Sequence, residues 1–185
     1  EPFVLVLGTR EPRKNHALIF ALIEARPELL DAYRFVFAGP PGWLEDRLAL
    51  PEPVRRGFER GRILHTGFLD EFAKYALLRR ARFSVYASLY EGFGLPALEA
   101  MSLGTPVLTS NTASLPEVVG DAAVTVDPYD IRALTEGIRA LDTHESLRGH
   151  LAEVGPRRAA LFSATAYEKR LAEVYARVGV PIGAG

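Results

Sequence analysis

Short apolar runs rich in Val, Phe and Ile alternate along this chain with longer stretches in which apolar residues recur at helical spacing. Strands that are apolar throughout must be covered on both faces, and consecutive parallel strands need a helical crossover, so the alternation specifies βαβ units around a mostly parallel sheet. Six strands are predicted: Phe3 to Leu7, Arg34 to Ala38, Arg62 to His65, Phe83 to Ala87, Pro106 to Thr109 and Ala122 to Val126. The expected fold is a Rossmann-like α/β three-layer sandwich with a mostly parallel six-stranded sheet.

Helices are predicted after Asn15 and Asp70, both read as Asx N-caps, and from Pro96, read as a first helical position, to about Gly104. Two closing helices are expected after Val126. The last opens on a capping box at Thr165 to Glu168 and carries Tyr167, Leu171, Val174, Tyr175 and Val178 on one stripe that must cover something. The chain enters its first strand almost at once from Glu1-Pro2 and without Met, so it reads as a piece of something longer. Residues 1 to 178 are expected to form one domain, and residues 179 to 185 a flexible tail.

At 185 residues, 48% hydrophobic and 24% charged, the chain is the size and composition of one globular domain. Its 22 Lys and Arg against 23 Asp and Glu create no global field for nucleic acid or an anionic membrane. Arg55-Arg56 and Arg79-Arg80 read as solvated helix faces. With no cysteine and histidines only at 16, 65, 144 and 150, there is no thiol chemistry and no metal-ligand spacing. No run approaches the roughly 20 apolar residues of a membrane span. A cytoplasmic location is expected, with peripheral attachment at the inner membrane face left open for a longer protein.

In a doubly wound sheet, ligands bind beyond the carboxyl ends of the strands. The turn Tyr90 to Ala100 has two glycines and opens a helix, so its backbone can approach an anion with free N–H groups. Glu91 precedes that helix and Glu99 lies within it. Beside a diphosphate neither carboxylate can touch phosphate, so each is read as an acceptor for sugar hydroxyls; taken singly, each also reads as an ordinary charge at a helix start. The turn Gly8 to Asn15 sets Arg13 and Lys14 ahead of a helix, where they can grip phosphate or simply be solvated. It carries neither a P-loop nor a G-x-G-x-x-G sequence, which argues against NTPase and NAD-dependent chemistry. The turn His65 to Asp70 offers backbone groups to a base edge, or is only a short strand followed by a cap.

Together these segments resemble the C-terminal domain of the group 1 glycosyl transferases, glycosyltransferase family 4, which have the two-domain GT-B fold. The resemblance is carried by Ser88 to Met101, with glutamates eight apart, then Gly104-Thr105-Pro106-Val107, then Leu115 to Ala123, and covers roughly Phe3 to Val178. It implies a retaining transferase that takes a nucleotide-diphosphate sugar, needs no cofactor or metal, and holds its acceptor on an N-terminal domain absent from this chain. It assigns Glu91 to the donor sugar and Glu99 to the ribose. Arg13 and Lys14 would face the departing diphosphate, together with the N–H groups of Gly94, Leu95 and Ala97. Gly8, Thr9 and Phe93 complete the donor site, and the backbone of Phe68 and Leu69 would meet the base. Thr9 stands where many relatives have arginine, a charge that Arg13 can replace. The run Glu11 to Asn15 resembles bacterial mannosyltransferases of polysaccharide assembly, which tilts the donor towards GDP-mannose over a UDP-sugar. The alternatives are a nucleotide-binding module without catalysis, a GT-B epimerase or phosphorylase, and an NAD-dependent oxidoreductase.

Overall fold

The computed structural model describes residues 1–42 and 50–179. Its six strands are β1 (Phe3–Leu7), β2 (Arg34–Ala38), β3 (Ile63–His65), β4 (Phe83–Tyr86), β5 (Val107–Ser110) and β6 (Val124–Val126). They form a single sheet in the order β3-β2-β1-β4-β5-β6, and every pairing is parallel. This is the doubly wound order, whose direction reverses between β1 and β4.

Alternation along the strands divides the interior into two cores. Val4, Val6, Phe35, Phe37, Phe83 and Val85 point to one face, covered by α1 (His16–Ala25), α2 (Leu29–Ala32), α3 (Glu52–Glu59) and α7 (Ile131–Thr143). Leu5, Val36, Ala38, Tyr86 and Val107 point to the other, covered by α4 (Glu71–Arg80), α5 (Leu95–Ser102) and α6 (Leu115–Val119). Helix α8 (Glu145–Ala160) reaches both cores through Leu151 and Ala159. The interiors of the four central strands are buried on both faces, which explains why they read as continuous apolar runs, while the edge strands β3 and β6 each expose a residue.

Helix starts depart from the expected caps in instructive ways. Asp70 caps α4 by accepting from the Ala73 N–H at 2.7 Å. Asn15 does not cap α1: it sits in the left-handed region at φ 56° and its Nδ2 donates instead to the Pro128 carbonyl at 2.8 Å. A tertiary acceptor has won over the local one. Helix α5 begins at Leu95 on a Gly94 cap, so Pro96 is one residue further in than expected.

Three helices follow Val126, not two. The third, α9 (Ala164–Arg177), is capped by Ser163, whose hydroxyl accepts from Ala166 N–H, so the Thr165 capping box does not form. No α9 residue is buried, and Tyr167, Val174, Tyr175 and Val178 are exposed. Helices α2 and α6 were not foreseen, because each is only four or five residues long, whereas the helix face read at Arg55-Arg56 is that of α3. Arg55 and Arg56 lie exposed on α3, paired with Glu52 and Glu59 of the same helix. Of the expected tail, residues 180 to 185 lie outside the described residues.

Gly39, just past β2, shows how tightly the strand ends are joined. It has φ 151°, and a Cβ there would lie 2.4 Å from the Gly8 carbonyl oxygen at the end of β1. Both clashing atoms are backbone and cannot swing aside. Gly39→Ala is expected to lower the unfolding free energy by about 1–3 kcal/mol, measured by urea denaturation, because it combines a strained φ with a forced backbone shift.

Candidate active site

The reversal of strand order leaves a crevice beyond the carboxyl ends of β1 and β4, and the two richest turns of the sequence meet there. Residues 12–14 form one turn of 3-10 helix between β1 and α1, and the Arg13 carbonyl accepts from the Leu89 N–H of the β4–α5 turn at 2.7 Å. That backbone bond locks the two turns together. It places Arg13 and Lys14 over Glu91.

Glu91 is 8% exposed although it is a charged residue in a turn. Its Oε1 accepts from Lys14 Nζ at 2.6 Å and Ser88 Oγ at 2.8 Å, and its Oε2 from Arg13 Nη1 at 3.0 Å. Burial pushes the Glu91 carboxyl up, but the hydrogen bonds from Lys14 and Ser88 and the charges of Lys14 and Arg13 outweigh it, so its pKa lies below the ordinary value. A carboxylate so held is a poor general acid at neutral pH. With about four acceptor positions on a carboxylate and three of them filled, Oε2 can still take one hydroxyl.

The two cations differ in freedom. Lys14 has a side chain only 10% exposed, whereas that of Arg13 is 46% exposed and is tied on its outer side to Glu11 at 2.8 Å. Two cations thus balance two carboxylates, and Arg13 can leave this cluster for an incoming anion more easily than Lys14. A cleft of about 430 Å³ opens beside them, lined by Arg13, Tyr90, Glu91, Gly92, Phe93, Gly94, Leu95 and Pro96.

This cleft contains the start of α5. Gly94 supports it in the left-handed region at φ 98°, where a Cβ would come within 2.7 Å of Leu115 Cδ2. The Ala97 N–H already donates to the Gly94 carbonyl at 3.1 Å, so it closes the first turn. The N–H groups of Gly94 and Leu95 have no partner among the described residues. They are the anion donors this helix end has to offer.

A neighbouring cleft of about 330 Å³ lies beyond β1 and β2, lined by Gly8, Thr9, Gly39, Phe68, Leu69 and Lys74 among others. The structure therefore gathers the predicted residues into two adjoining spaces, with Glu91, Arg13, Phe93, Gly94 and Leu95 at one and Gly8, Thr9, Phe68 and Leu69 at the other. Glu99 shares none of Glu91's partners and pairs instead with Lys74 Nζ of α4 at 2.9 Å. Among the described residues, no group of His, Asp and Glu is placed to hold a metal ion.

Sequence reasoning missed the supports of the Glu91 turn. Ser88 orients the carboxylate, Ser110 donates to the Ser88 carbonyl at 2.5 Å, Thr112 to the Leu89 carbonyl at 3.2 Å and Ser114 to the Glu91 carbonyl at 2.9 Å. Hydroxyls from the β5–α6 segment thus satisfy the turn's carbonyls. Only the Ser88 spacing, three before Glu91, was visible in the sequence. Lys74 was missed as well, since nothing local connects α4 to α5.

Residues 1–158 match the family Glycosyl transferases group 1. This chain belongs to that family. It is 45% identical over 138 residues to the O-antigen chain mannosyltransferase B of Escherichia coli, covering 74% of this chain and 35% of that protein. It is 39% identical over 149 residues to the serotype-specific mannosyltransferase WbdA of Escherichia coli, covering 79% of this chain and 18% of that one. The chain therefore spans about a third or less of these relatives.

Among solved structures it resembles sucrose-phosphate synthase from Thermosynechococcus elongatus, with a TM-score of 0.76 and 26% identity, covering 96% of this chain and 45% of that one. Staphylococcus aureus TarM, solved with fondaparinux, alpha-GlcNAc-glycerol and UDP, shares the fold at a TM-score of 0.79 and 17% identity, covering 95% and 35%. The fold is that of GT-B glycosyltransferases. No helix among the described residues is long and apolar enough to cross a membrane.

His16 opens α1 two residues after Lys14 and is 5% exposed, with its Nδ1 buried and without a hydrogen-bond partner among the described residues. Burial lowers its pKa to about 4, helped by the charges of Arg10, His65 and Lys14. A depressed histidine pKa favours the folded state least where the unfolded imidazole is protonated and the folded one is not. Stability contributed at this position should therefore be intact above pH 6.5 and fall by roughly 3 kcal/mol as pH drops to about 4. The check is the difference in unfolding free energy between the wild type and His16→Phe across that range, which should narrow as pH falls.

Proposed function

We propose that this chain is the donor-binding domain of a retaining hexosyltransferase, and that it takes a nucleotide-diphosphate sugar with mannose as the transferred hexose. The observation that carries the reading is the buried Glu91 carboxylate, held by Lys14, Arg13 and Ser88 beside the free end of α5. The relatives named as mannosyltransferases favour mannose, and GDP as its carrier follows from that choice.

In this reading the diphosphate lies at the α5 start, against the Gly94 and Leu95 N–H groups. Arg13 moves from Glu11 and Glu91 onto phosphate, while Lys14 stays between phosphate and carboxylate. As the bond from the anomeric carbon to the diphosphate breaks, negative charge grows on the leaving oxygen and positive charge on the sugar. Lys14, held in place by Glu91, stabilises the first without reorganising, and Arg13 does so once it has turned onto phosphate. Glu91 accepts a sugar hydroxyl on its remaining Oε2 position and sets the carboxylate charge near the second. Attack by an acceptor hydroxyl on the face the diphosphate leaves, with its proton passing to the departing diphosphate oxygen, gives retention.

Phe68 and Leu69 of the adjoining cleft meet the base, Gly8 and Thr9 lie beneath the diphosphate, Phe93 edges the sugar space and Glu99 receives the ribose hydroxyls. The acceptor is held by a separate domain, in keeping with the much greater length of the relatives, and the assembled protein works at the cytoplasmic side. The fragment described here binds donor but does not transfer by itself.

Binding only the native state at about 100 times its dissociation constant adds roughly 2.7 kcal/mol of stability. A thermal-shift panel of GDP, UDP, ADP, GDP-mannose and NAD should show stabilisation by GDP and GDP-mannose above the rest. Stabilisation by NAD alone would overturn the transferase reading, and a UDP response exceeding GDP would replace the donor base. In the full-length protein, Glu91→Gln should reduce kcat by about 100-fold or more while changing the dissociation constant for GDP by less than about fivefold. Equal losses in both would remove Glu91 from the reacting centre.

A further inference from the structure

Lys74 stands in the second turn of α4 and reaches across the sheet face to α5. Its Nζ lies 2.9 Å from Glu99 Oε1, and the two side chains are 20% and 31% exposed. It also lines the cleft beyond β1 and β2, whereas Glu99 is not among the residues that line it. The ammonium is further steadied over the Tyr75 ring, 4.8 Å from its centroid. Burial pulls the Lys74 pKa down, but the Glu99 hydrogen bond and charge, with smaller help from Tyr75 and Glu71, raise it overall, so the lysine stays charged.

We propose that Lys74 is a positioning residue of the nucleoside cleft, holding Glu99 by one oxygen so that the other is presented to the paired hydroxyls of a ribose. The proposal rests on the donor-binding reading above. A long carboxylate on a helix has several rotamers, and fixing it in advance removes an ordering cost from binding. One lysine hydrogen bond on Oε1 leaves about three acceptor positions, enough for two hydroxyls. The ammonium also offsets the carboxylate's negative charge close to a diphosphate.

The test compares GDP with 2′-deoxy-GDP by calorimetry, and UDP with 2′-deoxy-UDP, in the full-length protein. The wild type should prefer the ribonucleotide by about tenfold or more, the value of a hydroxyl hydrogen bond to a charged group. Lys74→Met should bring the pair within about threefold by weakening the ribonucleotide while hardly moving the deoxynucleotide, and should raise the donor KM with little change in kcat. Lys74→Arg should restore most of the preference.

A Lys74→Met protein that keeps the wild-type preference, or weakens both nucleotides equally, overturns the proposal. Glu99→Gln separates the two levels: loss of preference there with retention in Lys74→Met sinks the lysine's role alone. No preference in the wild type for either base sinks the ribose reading and this proposal with it.

Discussion

A carboxylate taken out of water needs cations and donors close by, and the site depends on that requirement being met at Glu91. Its two oxygens accept from Lys14, Arg13 and Ser88, and the first two come from a turn more than seventy residues earlier in the chain. Leaving Glu91 or Lys14 buried and unpaired costs several kcal/mol, so these two form their pair together, while the half-exposed Arg13 adds to it from the solvent side. The consequence is mechanical as well as electrostatic. The ion pairs and the Leu89 to Arg13 backbone bond clamp the β1–α1 turn to the β4–α5 turn at the point where the sheet reverses direction.

Around that clamp the fold supplies shape at low cost. Glycines at 8, 39 and 94 let backbone approach backbone or a neighbouring side chain, and Gly94 ends the loop so that α5 begins with unpartnered N–H groups. Hydroxyls at 110, 112 and 114 satisfy the carbonyls of the Glu91 turn from behind. The turn is thus held on both sides by groups that are themselves fixed in strands or helices.

Much of this was legible before any coordinates. The strands at Phe3 to Leu7 and Arg34 to Ala38 are found as expected because burial on both faces leaves their interiors apolar, with Arg34 exposed at the strand start. Glu91, Arg13 and Lys14 were chosen from turns that follow strands, and they do converge. The errors have a common cause. Asn15, Thr165 and Pro96 were read by local rules, yet a distant carbonyl at Pro128 claimed the first, an earlier serine at 163 capped ahead of the second, and Gly94 started the helix before the third. Short-range propensities are worth only about 1 kcal/mol each, so a tertiary contact overrode the first and a competing local signal the other two.

The sequence by itself determined the layer architecture and the family, since period and motif spacing are properties of the chain alone. It also determined which turns carry charge. Only the tertiary structure decided the partners: Glu91 with Lys14 and Arg13, Glu99 with Lys74, and Asn15 with Pro128. The physical reason is that parallel crossovers bring together residues far apart in sequence, and a side chain's charge says what it needs but not which distant group will meet it.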